Sequence, residues 1–455
     1  LQSVTCATPA TDCSLSGFVF KPSSLDAIRR YSRVEYDAQG RFPVATYEPF
    51  SDVMGSQERR TTYVVSRNIF GEATDVLDVN GVRSVAIKGA LGRDYFSWTQ
   101  TMPGNGGITG TPTYRWCSGT GAVPCPVGAV FRQQIAATAA ARQWTWFDVL
   151  GRPIMKAGES FNVGVIDQDV SATCTEYDSA GRVAKTSVPF FLSGTAGTTG
   201  PTDVGSVCSA PSRSWATTTY DLLGRPTLIQ APDGSQQSTQ YAGRTTTAWD
   251  QRSNPTVQVI NGKGEVLSMQ DASGFTTQFT YQADGNVASV TRNAGAGIIT
   301  NTFVYDVSGR KIQQVDPDTG TTTLEYNALG EVIAQTDNGG YRTEREIDAR
   351  GRAWRITAKL PGGTIESQTT TQYDTQANAS GQPVMETTTG QYAAWAGQAG
   401  TATQYDRQFH YDPMGRPAGM SVILEEGMFG TEVQYDTLGR PWKARDASGA
   451  WSKTE

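Results

Sequence analysis

Tyr305–Arg310 reads YDVSGR, and this turn hexapeptide recurs along the 455-residue chain. Its pattern is an aromatic or large apolar residue, Asp, two variable residues, Gly and Arg. Seven further copies are YDAQGR (36–41), FDVLGR (147–152), YDSAGR (177–182), YDLLGR (220–225), IDARGR (347–352), YDPMGR (411–416) and YDTLGR (435–440). Eight copies of one motif indicate a repeat architecture, because amino-acid composition alone would not produce them.

Each motif position suits a tight β-hairpin. Asp can accept hydrogen bonds from backbone N–H groups two and three residues on, and Gly can take a positive φ, which together predict a type I turn with a bulge. The aromatic residue ends one strand, and the Arg stem can cover a neighbouring ring. The predicted turn residues are Tyr36, Asp37, Gly40, Arg41, Phe147, Asp148, Gly151, Arg152, Tyr177, Asp178, Gly181, Arg182, Tyr220, Asp221, Gly224, Arg225, Tyr305, Asp306, Gly309, Arg310, Asp348, Gly351, Arg352, Tyr411, Asp412, Gly415, Arg416, Tyr435, Asp436, Gly439 and Arg440.

Two turns alternate in each repeat. Worn copies of the motif, among them LDVNGV from Leu77, INGKGE from Ile260, YNALGE from Tyr326 and YDTQAN from Tyr373, extend a spacing of 21 residues where the copies are best. Looser turns such as DPDTG at 316–320 lie between them, and the intervening segments alternate apolar and polar residues. The sequence therefore predicts an all-β fold, a continuous coiled ribbon of short antiparallel β-hairpins.

The motif with its intervening turns resembles the Rhs/YD-repeat family. That family includes bacterial Rhs polymorphic toxin shells, the cocoon components of insecticidal toxin complexes, and the teneurins. The resemblance implies a shell around a C-terminal toxin, closed by a segment with an aspartyl autoprotease. Because this sequence ends inside the repeats, we expect either activity to lie beyond Glu455 and predict no enzyme within the chain.

Composition limits the partners. The formal net charge is −6 and the pI is near 5.1, and no Lys/Arg cluster is present, so nucleic acid is not an expected partner. No apolar run approaches the roughly 18 residues that a membrane span needs, so a soluble chain is expected. Leu1 is followed by nothing like a signal peptide, and the natural start is expected to lie upstream.

Six cysteines lie close together in pairs along the sequence. Proximity favours three disulfides, Cys6 with Cys13, Cys117 with Cys125, and Cys174 with Cys208, and hence an oxidising compartment, secreted or at the cell surface. Six unpaired buried thiols remain the alternative.

Breaks in the repeat divide the chain. We expect a disulfide-bearing lead-in at 1–35, degenerate repeats at 36–98, an insertion at 99–142 with one possible helical turn, and repeats at 143–186. A Gly/Thr/Ser-rich insertion at 187–214 and a dense ribbon at 215–455, interrupted at about 376–403, complete the chain. Such insertions belong on one face or edge of a ribbon.

Few residues suggest chemistry. His410 is the only histidine and reads as an ordinary strand residue, while Asp316 with Asp318 and Asp75 with Asp78 suit turns better than calcium or acid–base catalysis. We predict no catalytic residue, cofactor or metal. Six tryptophans lie at repeat edges or insertions, where core packing is favoured over contact with glycans. They are Trp98, Trp116, Trp144, Trp146, Trp215 and Trp395.

Two functions compete. In the favoured one, the chain is a shell segment that encloses or carries a toxin-like polypeptide. In the other, it is an extracellular fibre or adhesin, with a surface glycan as a possible ligand. On the order of 30 strands at about 4.8 Å each would make a ribbon roughly 140 Å long. A ring that short could enclose little, so we expect the chain to pair with the rest of a larger polypeptide or with other copies of itself.

Overall fold

The protein is an all-β ribbon, as the repeat predicts. The computed structural model describes residues 2–6, 29–49, 58–89, 92–100, 107–138, 140–160, 170–192, 200–293, 297–327, 329–376, 378–391, 402–424, 427–436 and 439–453. Within these ranges the helical content is a single three-residue 3-10 turn, Val207–Ser209. No helix in the described part of the chain has the length and apolarity to span a bilayer.

The ribbon contains 35 strands in the described ranges, numbered in chain order. They fall into two compact units, residues 1–109 with 301–455 (unit 1) and residues 110–300 (unit 2). The strands before unit 2 are β1 Gln2–Cys6, β2 Arg29–Tyr36, β3 Pro43–Pro49, β4 Glu58–Arg67, β5 Ala73–Asp78, β6 Arg83–Lys88, β7 Asp94–Gln100 and β8 Gly107–Trp116, the last of which crosses the boundary.

Unit 2 continues the same alternation of strand and turn. Its strands are β9 Phe131–Ala137, β10 Gln143–Phe147, β11 Pro153–Glu159, β12 Val170–Tyr177, β13 Val183–Ser187, β14 Phe190–Phe191, β15 Trp215–Tyr220, β16 Pro226–Gln230, β17 Gln236–Ala242, β18 Thr245–Trp249, β19 Pro255–Ile260, β20 Val266–Gln270, β21 Thr276–Tyr281, β22 Val287–Asn293 and β23 Ile298–Tyr305, which again crosses the boundary.

The C-terminal part of unit 1 follows the same alternation. Its strands are β24 Lys311–Asp316, β25 Gly320–Tyr326, β26 Val332–Thr336, β27 Arg342–Ile347, β28 Ala353–Lys359, β29 Ile365–Tyr373, β30 Pro383–Gln391, β31 Ala402–Tyr411, β32 Pro417–Leu424, β33 Gly427–Tyr435, β34 Pro441–Arg445 and β35 Trp451–Lys453.

Pairing is antiparallel, and the register shifts where a motif aromatic residue ends its strand. Glu176 faces Lys185, but the next residue, Tyr177, faces Val183, so a bulge lies at the turn. The same shift occurs at Tyr220, Tyr305 and Tyr435. Because hairpins alternate in direction, the motif turns of each unit lie along one side of its strands, which we call the Arg edge. The looser turns lie along the opposite edge.

Most of the ribbon is a single layer with little core. Fourteen apolar residues in the described ranges are buried, and nine of them form one cluster in unit 2: Trp144, Trp146, Met155, Ala157, Val170, Ala172, Cys174, Leu192 and Val204. This cluster lies between β10–β12 and a second layer made of the loop after β8 and the segment after β13. Trp146 donates its indole N–H to the Pro124 carbonyl, 3.1 Å away, and Val127 N–H donates to the Gly205 carbonyl, 3.0 Å away.

Two disulfides fasten that second layer. Cys117 is bonded to Cys125 and Cys174 to Cys208, and all four pack in or against the cluster. These covalent links help to stabilise a layer that has few regular backbone hydrogen bonds. Of the expected third pair, Cys13 lies outside the described residues, so the Cys6–Cys13 disulfide stays a prediction.

The expected insertions contribute more to the ribbon than the sequence suggested. Strands β8 and β9 fall within 99–142, and Ala136 and Ala137 of the alanine-rich run belong to β9, because Phe131–Ala137 pairs with both neighbouring strands. Likewise β30 lies within the interruption at 376–403 and pairs with β29 and β31. The repeat weakens there, but the strand ladder continues.

The cluster predicts an uneven response to truncation. Trp146→Ala should lower the free energy of unfolding by about 3–5 kcal/mol, because a fully buried ring is lost and a cavity remains. Leu222→Ala, at a turn tip where the side chain is 104% exposed, should change it by less than about 0.5 kcal/mol. Denaturant unfolding followed by fluorescence and circular dichroism measures both. Equal losses would contradict the placement of the core.

Candidate functional site: the Tyr–Asp–Arg ladder

The motif Asp organises each turn through its side chain. In the turn after β12, Asp178 Oδ1 accepts hydrogen bonds from the N–H groups of Ala180 and Arg182, both 2.9 Å away. The Asp178 N–H donates to the Arg182 carbonyl at 2.8 Å and Gly181 has φ +80°, so the chain reverses over five residues. The Asp residues at 148, 221, 348 and 412 accept the same two bonds.

The expected acceptor pattern needs a correction. The N–H groups bound are those two and four residues after Asp, not two and three, because the glycine bulge turns the fourth N–H inward. Asp316, on the opposite edge, does follow the expected pattern and accepts from Asp318 and Thr319 at 2.8 and 3.3 Å.

The motif Arg joins its own turn to the next repeat. Arg182 Nε donates to Asp178 Oδ2 at 2.7 Å, and its guanidinium carbon lies 4.5 Å from the centre of the Tyr220 ring. Its NH1 group also donates to the Asp221 carbonyl at 3.2 Å. Equivalent stacking pairs, at 4.0–4.9 Å, are Arg152 on Tyr177, Arg225 on Tyr241, Arg310 on Tyr326, Arg352 on Tyr373 and Arg416 on Tyr435.

The motif Tyr completes the link in the reverse direction. The Tyr220 hydroxyl donates to the carbonyl of Val183 at 2.7 Å. Val183 is the residue directly after the Arg of the preceding turn. The bulge leaves that carbonyl available to the hydroxyl. The same bond, at 2.6–3.1 Å, joins Tyr177 to Pro153, Tyr241 to Pro226, Tyr281 to Val266, Tyr326 to Lys311, Tyr373 to Ala353, Tyr411 to Pro383 and Tyr435 to Pro417.

These contacts favour the charged form of the Asp residues. The backbone N–H of Arg182, and then its guanidinium, hold the pKa of Asp178 below its usual value, and Arg225 does the same for Asp221. Burial acts in the opposite direction on Asp148, Asp306 and Asp348, but the N–H and guanidinium groups of the paired Arg outweigh it, so those pKa values are lowered too.

Some repeats use the same geometry with donor and acceptor exchanged. In the worn copy YNALGE, Asn327 Oδ1 accepts the two backbone N–H bonds while its Nδ2 donates to Glu331 Oε2 at 2.7 Å. Asn261 with Glu265 and Asn68 with Glu72 repeat this arrangement. An Asn in place of Asp together with Glu in place of Arg is therefore the sequence signal for this arrangement, and residue identity alone does not show that the two changes compensate each other.

Two motif copies depart from the ladder. Tyr36 is 41% exposed, and Arg41 lies toward the adjacent Phe42 ring, 5.9 Å from its centre. Phe147 has no hydroxyl, and its ring stacks on Phe131 at 4.8 Å. Both copies keep the turn, and Arg152 of the second copy still stacks on Tyr177, but the aromatic residues of these two copies do not take the usual place in the ladder.

The other candidate residues make contacts within the ribbon. His410 Nε2 lies 3.1 Å from Ser421 Oγ, Asp75 forms an ion pair with Arg83, and Asp78 Oδ1 accepts the N–H bonds of its own turn. No group of three potential metal-ligating side chains occurs in the described ranges. Of the tryptophans, Trp144 and Trp146 are buried, Trp98 and Trp215 are half-buried, Trp116 is exposed, and Trp395 lies outside the described residues.

One face of unit 2 carries two shallow neighbouring grooves. The first, about 290 Å³, is lined by Ile229, Thr239 and Ala248, and the second, about 420 Å³, by Met269, Phe279 and Arg292, with Thr256 common to both. Their lining is mixed apolar and hydroxyl-bearing, without a cluster of ionisable groups. Such a surface suits broad, weakly specific contact with a polypeptide better than one small ligand.

Comparisons with solved structures agree with the fold. The chain is similar to the Tc holotoxin pore of Photorhabdus luminescens with a substituted TccC3 (TM-score 0.56, 13% identity, 93% of this chain and 28% of that chain). It is also similar to the TcdB2-TccC3-TEV crystal structure (TM-score 0.51, 14% identity, 92% and 31%) and to that of TcdB2-TccC3 (TM-score 0.50, 15% identity, 93% and 27%). The chain thus spans about a third or less of each structure.

Sequence comparison gives a partial match. The chain is 24% identical over 160 residues to double-stranded DNA deaminase toxin A of Burkholderia cenocepacia strain H111, which is 34% of this chain and 10% of that protein. No family model matches. The structural likeness shows that the chain has the all-β ribbon fold of these structures, and its motif turns and ladder agree with the resemblance to the Rhs/YD-repeat family. The chain shares its fold with components of toxin complexes.

The exchanged pairs predict a rescue. Asp306→Asn should cost about 1–3 kcal/mol of unfolding free energy, because one amide cannot accept both backbone N–H bonds and still accept from Arg310. Adding Arg310→Glu recreates the arrangement of Asn327 with Glu331, so the double variant should be about 1 kcal/mol more stable than the two single losses predict. Recovery should be incomplete, since the stacking of Arg310 on Tyr326 is lost.

A mismatched pair serves as the control for this cycle. Asp306→Asn combined with Arg440→Glu, from a different turn, should give additive losses in the same denaturant measurement. Coupling as large as in the matched pair would contradict a local exchange of donor and acceptor.

The lowered pKa values predict acid sensitivity. A carboxyl whose pKa is lower in the folded than in the unfolded chain contributes stability that is complete above the unfolded value, about 4, and is lost as pH falls below it. Thermal unfolding should therefore occur at clearly lower temperatures below about pH 4 than at pH 7. The variant Asp178→Asn with Asp221→Asn should show a shallower dependence, and an unchanged slope would contradict this origin.

Proposed function

We propose that this chain is a wall segment of a secreted Rhs-type shell that encloses or carries a toxin-like polypeptide. The observation that carries the proposal is the single-layer ribbon joined repeat to repeat along the Arg edge. A sheet with two accessible faces and little core of its own is suited to separate two spaces rather than to form a compact catalytic domain.

Three further observations support this role. The similar solved structures are those of toxin complexes, and the partial sequence relative is a toxin. The two disulfides in unit 2 suit an oxidising compartment. One face of unit 2 carries grooves with exposed apolar side chains such as Ile229 and Met269, which could contact an unfolded guest. In this proposal the chain itself has a structural and not an enzymatic role.

The fibre or adhesin alternative is weakened by the placement of its proposed contact residues. Trp144 and Trp146 are 0% exposed and packed in the unit 2 core, so they are not available to a glycan. Trp116, 57% exposed, remains available. A glycan contact at Trp116 stays compatible with a shell wall, because it needs only the outer surface.

Protease protection of the full-length protein tests the proposal. The secreted protein is digested with proteinase K under native conditions, then unfolded in guanidinium and analysed by mass spectrometry. We expect polypeptide from outside the ribbon to survive native digestion and to become cleavable after unfolding. Digestion of all non-ribbon polypeptide at the rate of the unfolded control, or filaments in electron micrographs, would overturn the shell proposal.

A further inference from the structure

One loop on the Arg edge of unit 1 breaks the turn rule. In the worn copy YDTQAN, the chain does not reverse over five residues, because the Asp374 N–H donates to the carbonyl of Gln382, eight residues on. Asp374 and Asn378 have φ of +63° and +71°, a conformation that non-glycine residues rarely adopt. A strained loop of this kind persists only where neighbouring groups stabilise it, so contacts around the loop should explain its conformation.

The loop is held in place from its own side of the ribbon. Asp374 Oδ2 accepts from Arg350 and Arg352, each at 2.7 Å, and Asp374 Oδ1 accepts from the Gly381 N–H at 2.5 Å. Gln382 Nε2 donates to the Gly415 carbonyl in the next turn at 3.2 Å. Three consecutive Arg-edge turns therefore fix the shape of the loop.

A turn from a distant repeat contacts this loop. A Cβ built on Gly381 would lie 3.3 Å from Asn80 Nδ2 and 3.6 Å from Asn80 Cβ, although the two residues are about 300 positions apart in the sequence. Asn80 is in the turn between β5 and β6, on the opposite edge of the ribbon. Ala379 is 0% exposed, and the side-chain oxygens of Asn80 and Asn378 are buried.

Side-chain exposure along the Arg edge also differs between the two units. At the third position of the turn, Leu150 and Leu223 of unit 2 are 71% and 78% exposed, as expected for turn tips. The equivalent Leu329 of unit 1 is only 7% exposed. A turn tip loses its exposure when something packs on it, so part of the unit 1 Arg edge is covered.

We propose that the loop 374–382 is an intramolecular docking site for the Asp78–Val82 turn, and that this contact closes the opposite edge of the ribbon onto its Arg edge within unit 1. The occupant is a segment of the chain itself. The inference goes beyond a shell role and does not depend on a guest being enclosed. It also gives the worn copy YDTQAN a reason to depart from the motif.

The consequence is long-range coupling in a repeat protein. Ordinary repeat arrays are stabilised only by contacts between neighbours, so unfolding can begin anywhere along them. A contact between the Asp78–Val82 turn and the loop 374–382 adds one interaction between repeats that are far apart in sequence. A perturbation in the loop should then be detected in the turn.

Engineered cysteines test the contact directly. The 3.6 Å between Asn80 Cβ and a Cβ on Gly381 lies in the range for a disulfide, so Asn80→Cys with Gly381→Cys should cross-link under mild oxidation. Asn338→Cys with Gly381→Cys is the matched control, because Asn338 is also in an opposite-edge turn of unit 1 but contacts Gly320. Peptide mass spectrometry should find the first cross-link near completion and the second absent. Equal yields would overturn the proposal.

A second measurement covers the case in which a side chain at Gly381 impairs folding. Ala379→Lys puts a charge into the buried contact, whereas Ala349→Lys changes an exposed turn tip of the same edge. Hydrogen exchange of the amides of Asn80 and Val82, which bind Asp78 Oδ1, should become about tenfold faster in Ala379→Lys only. The same exchange rate in both variants would contradict docking.

Discussion

The ribbon depends on a reciprocal link between consecutive hairpins. An arginine from one turn lies over the tyrosine of the next, while the hydroxyl of that tyrosine donates to the carbonyl following the arginine. The aspartate of the turn fixes the arginine, and the glycine bulge frees the carbonyl. Each of the four motif residues therefore has its place because of the other three. This explains why the motif recurs as a unit while the two intervening positions vary.

Such a link replaces a hydrophobic core in most repeats. Each contact is individually modest, since the arginines are partly exposed and exposed ion pairs contribute little. Cation–π stacking, a neutral hydrogen bond and turn geometry then act together at every repeat. Unit 2 departs from this scheme where its insertions form a second layer. There the chain uses buried tryptophans and two disulfides, the ordinary means of a small globular domain.

The sequence predicts the all-β fold, the alternation of two turns and the aromatic–arginine ladder, because these depend on interactions within about two repeats. The prediction of the second N–H group bound by the turn Asp was wrong, because that group depends on how the bulge orients the backbone. A motif defined by residue type does not include the Asn–Glu exchange, as at Asn327 with Glu331, because the exchange preserves the hydrogen bonds and not the residues. The packing partners of Trp144 and Trp146, and the contact of Asn80 with Gly381, come from segments far apart in sequence and follow no local pattern.

The most direct test of the reciprocal link removes only the hydroxyls. Tyr177→Phe, Tyr220→Phe, Tyr326→Phe and Tyr435→Phe, combined in one chain, keep every ring and delete four hydrogen bonds to backbone carbonyls. Equilibrium unfolding should show a loss of about 0.5–1.5 kcal/mol for each hydroxyl, provided that the repeats unfold together. A fourfold variant as stable as the natural chain would show that the tyrosines act only through their rings, and would contradict the account.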